Sequence, residues 1–265
     1  MLNSDMWQRS VFASEYVSVG AGAGLQGNVL AGTYLTTGVS AELDGSTAAG
    51  TDTTIGADSV VVGDIQSGTG IEMGEGATST SETLSTSEDI ESVGRIGRQG
   101  LLEAQEFLGK FTAATSLEPG NIDTDTTFTA GVYGVSGLLT FTAGITITLD
   151  AQNMASEFVF NVSNYITFGE GVKVVVINVN SEKPVSVTWN ATGGYVSVGA
   201  GASIVGTILA NGYVSTGAGS TLTGVNVDCG GVAFAATSYV SIGADATVGT
   251  GTESCSPSPD TVLRS

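Results

Sequence analysis

The chain has 265 residues, 41% of them hydrophobic, with 39 glycines but only 4 prolines. That is enough apolar material for one substantial core, and glycine without proline reads as corners between strands, not as linker. Seven basic against 26 acidic residues give a formal charge of −19, which repels phosphate backbones and anionic lipid and sets aside nucleic acid and membrane surfaces as partners. No histidine is present, so Ser-His-Asp and Cys-His mechanisms and histidine-bound zinc are excluded.

At the N-terminus, Met1-Leu-Asn-Ser-Asp5 has neither a basic start nor an apolar core, and no run of about 20 apolar residues occurs anywhere. Either the protein stays in the cell or a signal peptide is missing from this sequence; the pair Cys229 and Cys255, which suits an oxidising compartment, favours the second, a secreted protein. An 18-residue repeat then begins: Tyr16, Tyr34, Asp52 and Gly70 open successive units, and Tyr195 and Tyr213 are again 18 apart. A period that short matches one turn of a three-sided coil with about six residues per side. The fifth position of the unit is Gly20, Gly38, Gly56, Gly74, Gly169, Gly199, Gly217 and Gly243, and the twelfth is Gly27, Gly45, Gly63, Gly206 and Gly224. Such regularity marks corners. Positions two and four carry Val17/Val19, Leu35/Thr37, Ile71/Met73, Ile166/Phe168, Val196/Val198 and Val240/Ile242, the alternation of a strand with one buried face. The tenth position, with Leu25, Leu43, Val61, Ile204, Leu222 and Val248, predicts a second core-facing strand.

The pattern breaks at residues 77–87, which read as a polar loop. A helix follows over about 88–114: Ser87, Glu88 and Asp89 suit its N-terminus, and Ile90, Val93, Leu101, Ala104, Leu108 and Phe111 form one apolar stripe. Gly94, Gly97 and Gly100 each cost about 1 kcal/mol in an isolated helix and are tolerable where the helix lies directly against the coils. Leu117-Glu-Pro-Gly120 stops it, and strands resume from about Thr126 to Gly249. The N-terminal coils match the C-terminal ones more closely than the middle of the chain, so both ends are expected to share one stack. Residues 1–253 are expected to form a single domain, with 254–265 as a tail.

Position three lies between the two inward residues and therefore faces solvent. It holds Ser18, Thr36, Thr54, Thr167, Ser197, Ser215 and Ser241, with Glu72 the exception. Position one also faces outward and holds Tyr16, Tyr34, Tyr165, Tyr195, Tyr213 and Tyr239, which is six of the chain's seven tyrosines. One reading is a sheet stabilised by stacked pairs, each worth a few tenths to about 1 kcal/mol. The other is functional: strands stacked every 4.7–4.9 Å or so make a flat, rigid and nearly uncharged array, able to hold a layer of ordered water that merges with an ice lattice. Carboxylates there would order water in a geometry that ice does not accept.

Other signals are weaker. Asp44, Asp58, Asp64 and Asp245 do not recur in one column and read as solvated surface, not as a calcium site. Gly20-Ala-Gly-Ala-Gly24 lacks the Lys-Ser/Thr of a phosphate loop. Cys229 and Cys255 either pair, pinning the tail in an oxidising compartment, or are two free thiols. Asn161-Val-Ser163 and Asn190-Ala-Thr192 fit the glycosylation pattern, which arises often by chance in a Ser/Thr-rich chain. Paired carboxylates could hydrolyse polysaccharide, yet such clefts use basic residues, and only seven are available.

The second half resembles the microbial ice-binding (antifreeze) proteins built as a discontinuous three-sided β-solenoid with a helix alongside. The resemblance rests on Phe128-Thr-Ala-Gly-Val-Tyr133, Ile147-Thr-Leu-Asp-Ala151, Glu157-Phe-Val-Phe-Asn161, Val187-Thr-Trp189, Ile204-Val-Gly-Thr-Ile-Leu-Ala210 and Tyr213-Val-Ser-Thr-Gly-Ala-Gly-Ser-Thr-Leu-Thr-Gly224. With the preceding helix these cover roughly residues 88–250, in the family's order. The first 80 residues depart from it, being more regular than the usual family opening, and Ala130 stands where the family often has proline. The resemblance implies a mainly β fold, a right-handed three-sided parallel β-solenoid with one long α-helix packed alongside. It also implies a non-catalytic monomer that needs no cofactor and has the ice surface as its partner. The strand equivalent to Tyr213-Val-Ser215 would be the ice-binding side. The rival expectations are an adhesin or glycan-binding solenoid stacking sugars on its tyrosines and a polysaccharide-degrading enzyme.

Overall fold

The computed structural model describes residues 9–80, 84–85, 89–118, 120–225 and 232–249. Cys229, Cys255, the expected helix start at Ser87 and Glu88, and the tail 254–265 lie outside the described residues. The strands form three parallel sheets of 11, 10 and 10 strands, the three sides of a β-solenoid. One side is covered by the helix, a second carries the hydroxyl column, and the third is left between them in each coil.

The chain enters in the middle of the stack. Its first strand, Arg9–Ala13, pairs on one edge with Asn28–Ala31 and on the other with Ala233–Ala235. Four coils run from there to one end of the solenoid, finishing with Gly70–Met73 and Thr78–Ser79. Helix α1, Asp89–Gly109, returns along the outside, and Thr115–Ser116 opens the opposite end. The remaining coils come back to the middle, where Val240–Ile242 pairs with Val17–Val19 and Thr247–Gly249 with Gly24–Gln26. The two ends of the chain therefore share one stack and meet at a seam with no covalent connection through the coils.

Inward residues fill the coils. Aliphatic Val17, Leu25, Val29, Leu35 and Leu43 occupy the first coils. The cross-section widens where strands lengthen to seven residues, at Ser156–Val162 and Val185–Ala191, and aromatic residues fill the extra volume. There Phe160 stacks on Trp189 at 4.2 Å and Phe141 on Phe168 at 5.0 Å. The buried indole donates to the Val205 carbonyl at 3.0 Å, so this large ring leaves no polar atom unpaired.

The corners explain the glycines. A Cβ at Gly217 would lie 2.4 Å from the Ala200 nitrogen and one at Gly38 2.5 Å from that of Ala21, so backbone replaces side chain as the contact between coils. Two residues further on the chain turns through the left-handed region, at Gly22, Ser40, Asp58 and Asp245. Asp58 and Asp245 thus hold equivalent corner places, contrary to the expectation that the aspartates share no column, although Ser40 and Gly22 stand between them. Among the described residues no group of three or more acidic or thiol side chains could hold a metal ion.

Each coil has three strands, as a three-sided coil requires, the third being segments such as Thr47–Ala49, whose residues are all buried and which no alternation in the sequence marks. Other features differ from the sequence expectation. Residues 77–87 include short strands at Thr78–Ser79 and Leu84–Ser85, and strands resume at Thr115–Ser116 and Asn121–Ile122, before Thr126. The helix ends at Gly109 instead of near 114, so Phe111 lies beyond it, and the side chains of Ile90 and Val93 lie outside the described set. Met73 shares the inner column with Ile55 but is 37% exposed, because the strand at the stack's end has no coil beyond it.

Candidate functional site

The helix removes one side from consideration. Outward-facing Phe12, Leu30, Ala48, Leu209 and Phe234 pack with Leu101 and Leu108 of α1 into a second core. A Cβ at Gly97 would sit 2.8 Å from the Phe12 ring, and one at Gly94 3.3 Å from the Gly32 Cα. Small residues are needed where helix and sheet approach this closely. Further along, the Gln105 amide donates to Asn190 Oδ1 and to the carbonyls of Ala191 and Leu209 at 3.1–3.2 Å. Asn190 donates to Asn161 Oδ1 at 2.8 Å, and Asn161 to the Leu108 carbonyl at 2.7 Å. Asn190 is fully buried, so both glycosylation-like triplets place their asparagine amides in the helix joint.

On the second side, backbone register aligns the position-three residues into one column. Thr54 pairs with Thr36, Thr36 with Ser18, Ser18 with Ser241, Ser241 with Ser215, Ser215 with Ser197, and Ser197 with Thr167. Thr140 continues it beside Thr167, giving eight consecutive hydroxyls that cross the seam unbroken. Glu72 and Asn121 cap the two ends. Sequence reasoning missed Thr140, because Leu138 occupies the place where a tyrosine opens six of the other units. Beneath the column Val17, Val19, Val196, Val198 and Val214 anchor the strands in the core. Thr37 and Thr216, two buried polar residues of the inner row, accept from the amides of Gly56 and Gly243 at 2.9 and 3.1 Å.

Beside the hydroxyls runs the tyrosine column. The rings stack continuously in the order Tyr34, Tyr16, Tyr239, Tyr213, Tyr195, Tyr165, with centroids 4.6–4.9 Å apart and planes within 11° of parallel. This is the strand spacing written in side chains. Burial, with help from neighbouring phenols, raises the pKa of Tyr16 and Tyr213 above the ordinary tyrosine value, Glu15 adding to the effect on Tyr16. These two phenols are therefore neutral at neutral pH. Each inner ring spends both faces on its neighbours and offers only its edge and hydroxyl, which argues against sugars stacking along it.

The third side is less uniform. Its equivalent column reads Thr78, Val60, Glu42, Gly24, Thr247, Thr221, Ser203, Lys173 and Thr146. Only three hydroxyls are consecutive, and both signs of charge interrupt the row. Thr207 belongs to the helix-side sheet through its pairing with Thr188.

Residues 98–250 match the family described as Ice-binding-like. No curated protein matches the chain. Among solved structures, the fold is similar to an ice-binding protein from the Antarctic ascomycete Antarctomyces psychrotrophicus, with 16% identity over 93% of this chain and 97% of that one and a TM-score of 0.59. It is similar also to the DUF3494 domain of an ice-binding protein of Shewanella frigidimarina, with 18% identity over 94% and 97% of the two chains and a TM-score of 0.60. An ice-binding protein from an Arctic yeast aligns at 14% identity over 97% and 96%, with a TM-score of 0.53. At such identities the structural likeness speaks for the fold, whereas the sequence match spans more than half of the chain: the protein belongs to the Ice-binding-like family.

Proposed function

We propose that this protein is a non-catalytic ice-binding protein that acts outside the cell as a monomer and adsorbs to ice through its hydroxyl side, with residues 1–253 serving as one domain. The observation that carries the reading is the run of eight in-register hydroxyls free of charge. Each hydroxyl offers one donor and two acceptor sites, and the strand ladder repeats them every 4.7–4.9 Å or so. Water bridging successive hydroxyls is thereby held in a periodic layer that can join a growing crystal, at a modest entropic cost of about 0–2 kcal/mol per water. Ser18, Thr36, Thr54, Thr167, Ser197, Ser215 and Ser241 dock that layer. Tyr16, Tyr34, Tyr195, Tyr213 and Tyr239 border it with their stacked rings. Ice then grows only between adsorbed molecules, in curved fronts whose local freezing point is lowered, so freezing is delayed and recrystallisation slows.

A matched pair of variants tests the choice of side. Ser215→Tyr places a bulky ring in the middle of the column, and Thr221→Tyr does the same on the third side. Both positions face outward on three-residue strands, so folding stability should change by no more than about 0.5 kcal/mol. Freezing hysteresis and partition into slowly growing ice should fall steeply for Ser215→Tyr and stay near wild type for Thr221→Tyr. The reverse ranking would move the ice-binding side to the third sheet.

A further inference from the structure

Six phenols stacked ring on ring are more than adsorption to ice requires, and their geometry brings together groups that react with one another. We propose that the tyrosine column is an oxidative cross-linking site, at which one-electron oxidation joins neighbouring rings as dityrosine, and that the Tyr16–Tyr239 rung staples the seam of the solenoid. Those two rings lie 4.8 Å apart and 11° from parallel, yet they are separated by 239 − 16 = 223 residues of chain. Because in-register side chains are related by one strand spacing, like atoms of adjacent rings sit about 4.8 Å apart. Rotation about the side-chain torsions closes the remaining gap between ring carbons, and no ring of the column is fully buried.

The chemistry balances with hydrogen peroxide as oxidant and a haem peroxidase to turn it over. Each of two phenols gives one electron to the oxidant and its hydroxyl proton to water, leaving two phenoxyl radicals. These couple through a carbon–carbon bond between the positions ortho to oxygen. The hydrogens on the two joined carbons leave as protons, and the oxygens take up protons to restore both phenols. One peroxide becomes two waters, and the protein loses two hydrogen atoms in all. A partner already in contact wins over a second molecule, since tethered groups meet at effective concentrations in the millimolar range and the −19 charge keeps copies apart.

Tyr133 serves as an internal contrast. It is 7% exposed, donates its hydroxyl to the Thr129 carbonyl and stacks on Phe160, which has no phenol to couple with. A bond between Tyr16 and Tyr239 closes a very long loop and so restricts the unfolded chain, at the one place where the stack lacks covalent continuity.

The test treats the folded protein, at micromolar concentration, with peroxidase and peroxide, followed by intact mass, dityrosine fluorescence and tryptic mapping. The expected product is a monomer lighter by two hydrogens per bond, in which the peptide Ser10–Arg95 is joined to Val174–Arg264 (the Lys183–Pro184 bond resists trypsin) and the unfolding midpoint is raised. Tyr239→Phe keeps the ring stack and should lose the seam-spanning peptide while still cross-linking elsewhere in the column. Covalent dimers in place of modified monomer, no dityrosine, or an undiminished seam peptide in Tyr239→Phe would each overturn the proposal. The outcome is independent of ice adsorption.

Discussion

The helix side and the hydroxyl side are built from the same coils and the same parallel ladders, yet one is covered and the other bare. Across the rows the helix side presents Ala48, Leu30, Phe12, Phe234, Leu209, Asn190 and Asn161. The hydroxyl side presents Thr54, Thr36, Ser18, Ser241, Ser215, Ser197 and Thr167. Backbone geometry makes both sides flat. The outward residue alone decides whether a side must be buried against protein or can meet an aqueous surface. Apolar outward residues gain by burial at roughly 25 cal/mol per Å², and a single helix is enough to cover them.

The largest expected effect comes from breaking the covered side. Phe12 is fully buried between sheet and helix, against Gly97. Phe12→Ala removes a large ring from a site that a rigid sheet cannot collapse to fill, at a cost of about 3–5 kcal/mol. Chemical denaturation measures it. The variant should keep the hydroxyl column, so below its unfolding midpoint ice partition should survive.

Next come the corners, which serve both sides at once. At Gly217 an added Cβ meets the Ala200 nitrogen, a backbone atom of the neighbouring coil's corner. Gly217→Ala should therefore cost about 1–3 kcal/mol through forced backbone shifts, and here ice partition should fall together with stability, since Thr216 and Ser215 adjoin the displaced corner. Stability lost with ice partition intact would mean that flatness matters less than the hydroxyls themselves.

The polar joint of the covered side is the third test. Gln105→Leu preserves volume and deletes the donor to Asn190 and to two carbonyls; the Ala191 carbonyl keeps its bond from the Asn211 amide, but the buried Asn190 Oδ1 loses its donor, at about 1–3 kcal/mol. Hydrogen exchange should quicken along the C-terminal half of α1 first, with the hydroxyl side unaffected.

These contrasts also show what the sequence could and could not reveal. Corner glycines and the alternation of Val17/Val19 or Leu25 were legible because one face of those strands meets solvent and the other the core. The third strand was hidden for the same physical reason: in Val29-Leu30-Ala31 all three residues are buried, two by the core and Leu30 by the helix, so no alternation survives. Strands at Thr115–Ser116 and Asn121–Ile122 are two residues long, too short for any period. The hydroxyl column was visible as a list of residues. Its continuity over the seam was not, because pairing of Ser18 with Ser241 is a property of the folded stack. Thr140 escaped because the repeat frame was set by tyrosine, and the coil holding it opens with Leu138.

The smallest effect expected is a pH dependence that separates the two sides by chemistry. Tyr16 and Tyr213 titrate above the ordinary value of 10.0 in the folded chain, chiefly because burial disfavours the phenolate and then because neighbouring phenols do. Unfolded tyrosines lose their protons near pH 10 while these two keep theirs, so the unfolded state binds fewer protons and stability falls as pH rises. The loss should begin near pH 10, continue until the folded phenols ionise, and be absent at neutral pH. Tyr16→Phe, which keeps the ring in the stack, should flatten part of the slope in denaturation midpoints recorded across that range. Because Tyr16 sits on the seam, its ionisation sets a charge against Tyr239 where the two ends of the chain meet, and the first coils should be the ones to loosen. Alkaline hydrogen exchange that begins instead at the Gln105 joint would place the weak point on the covered side.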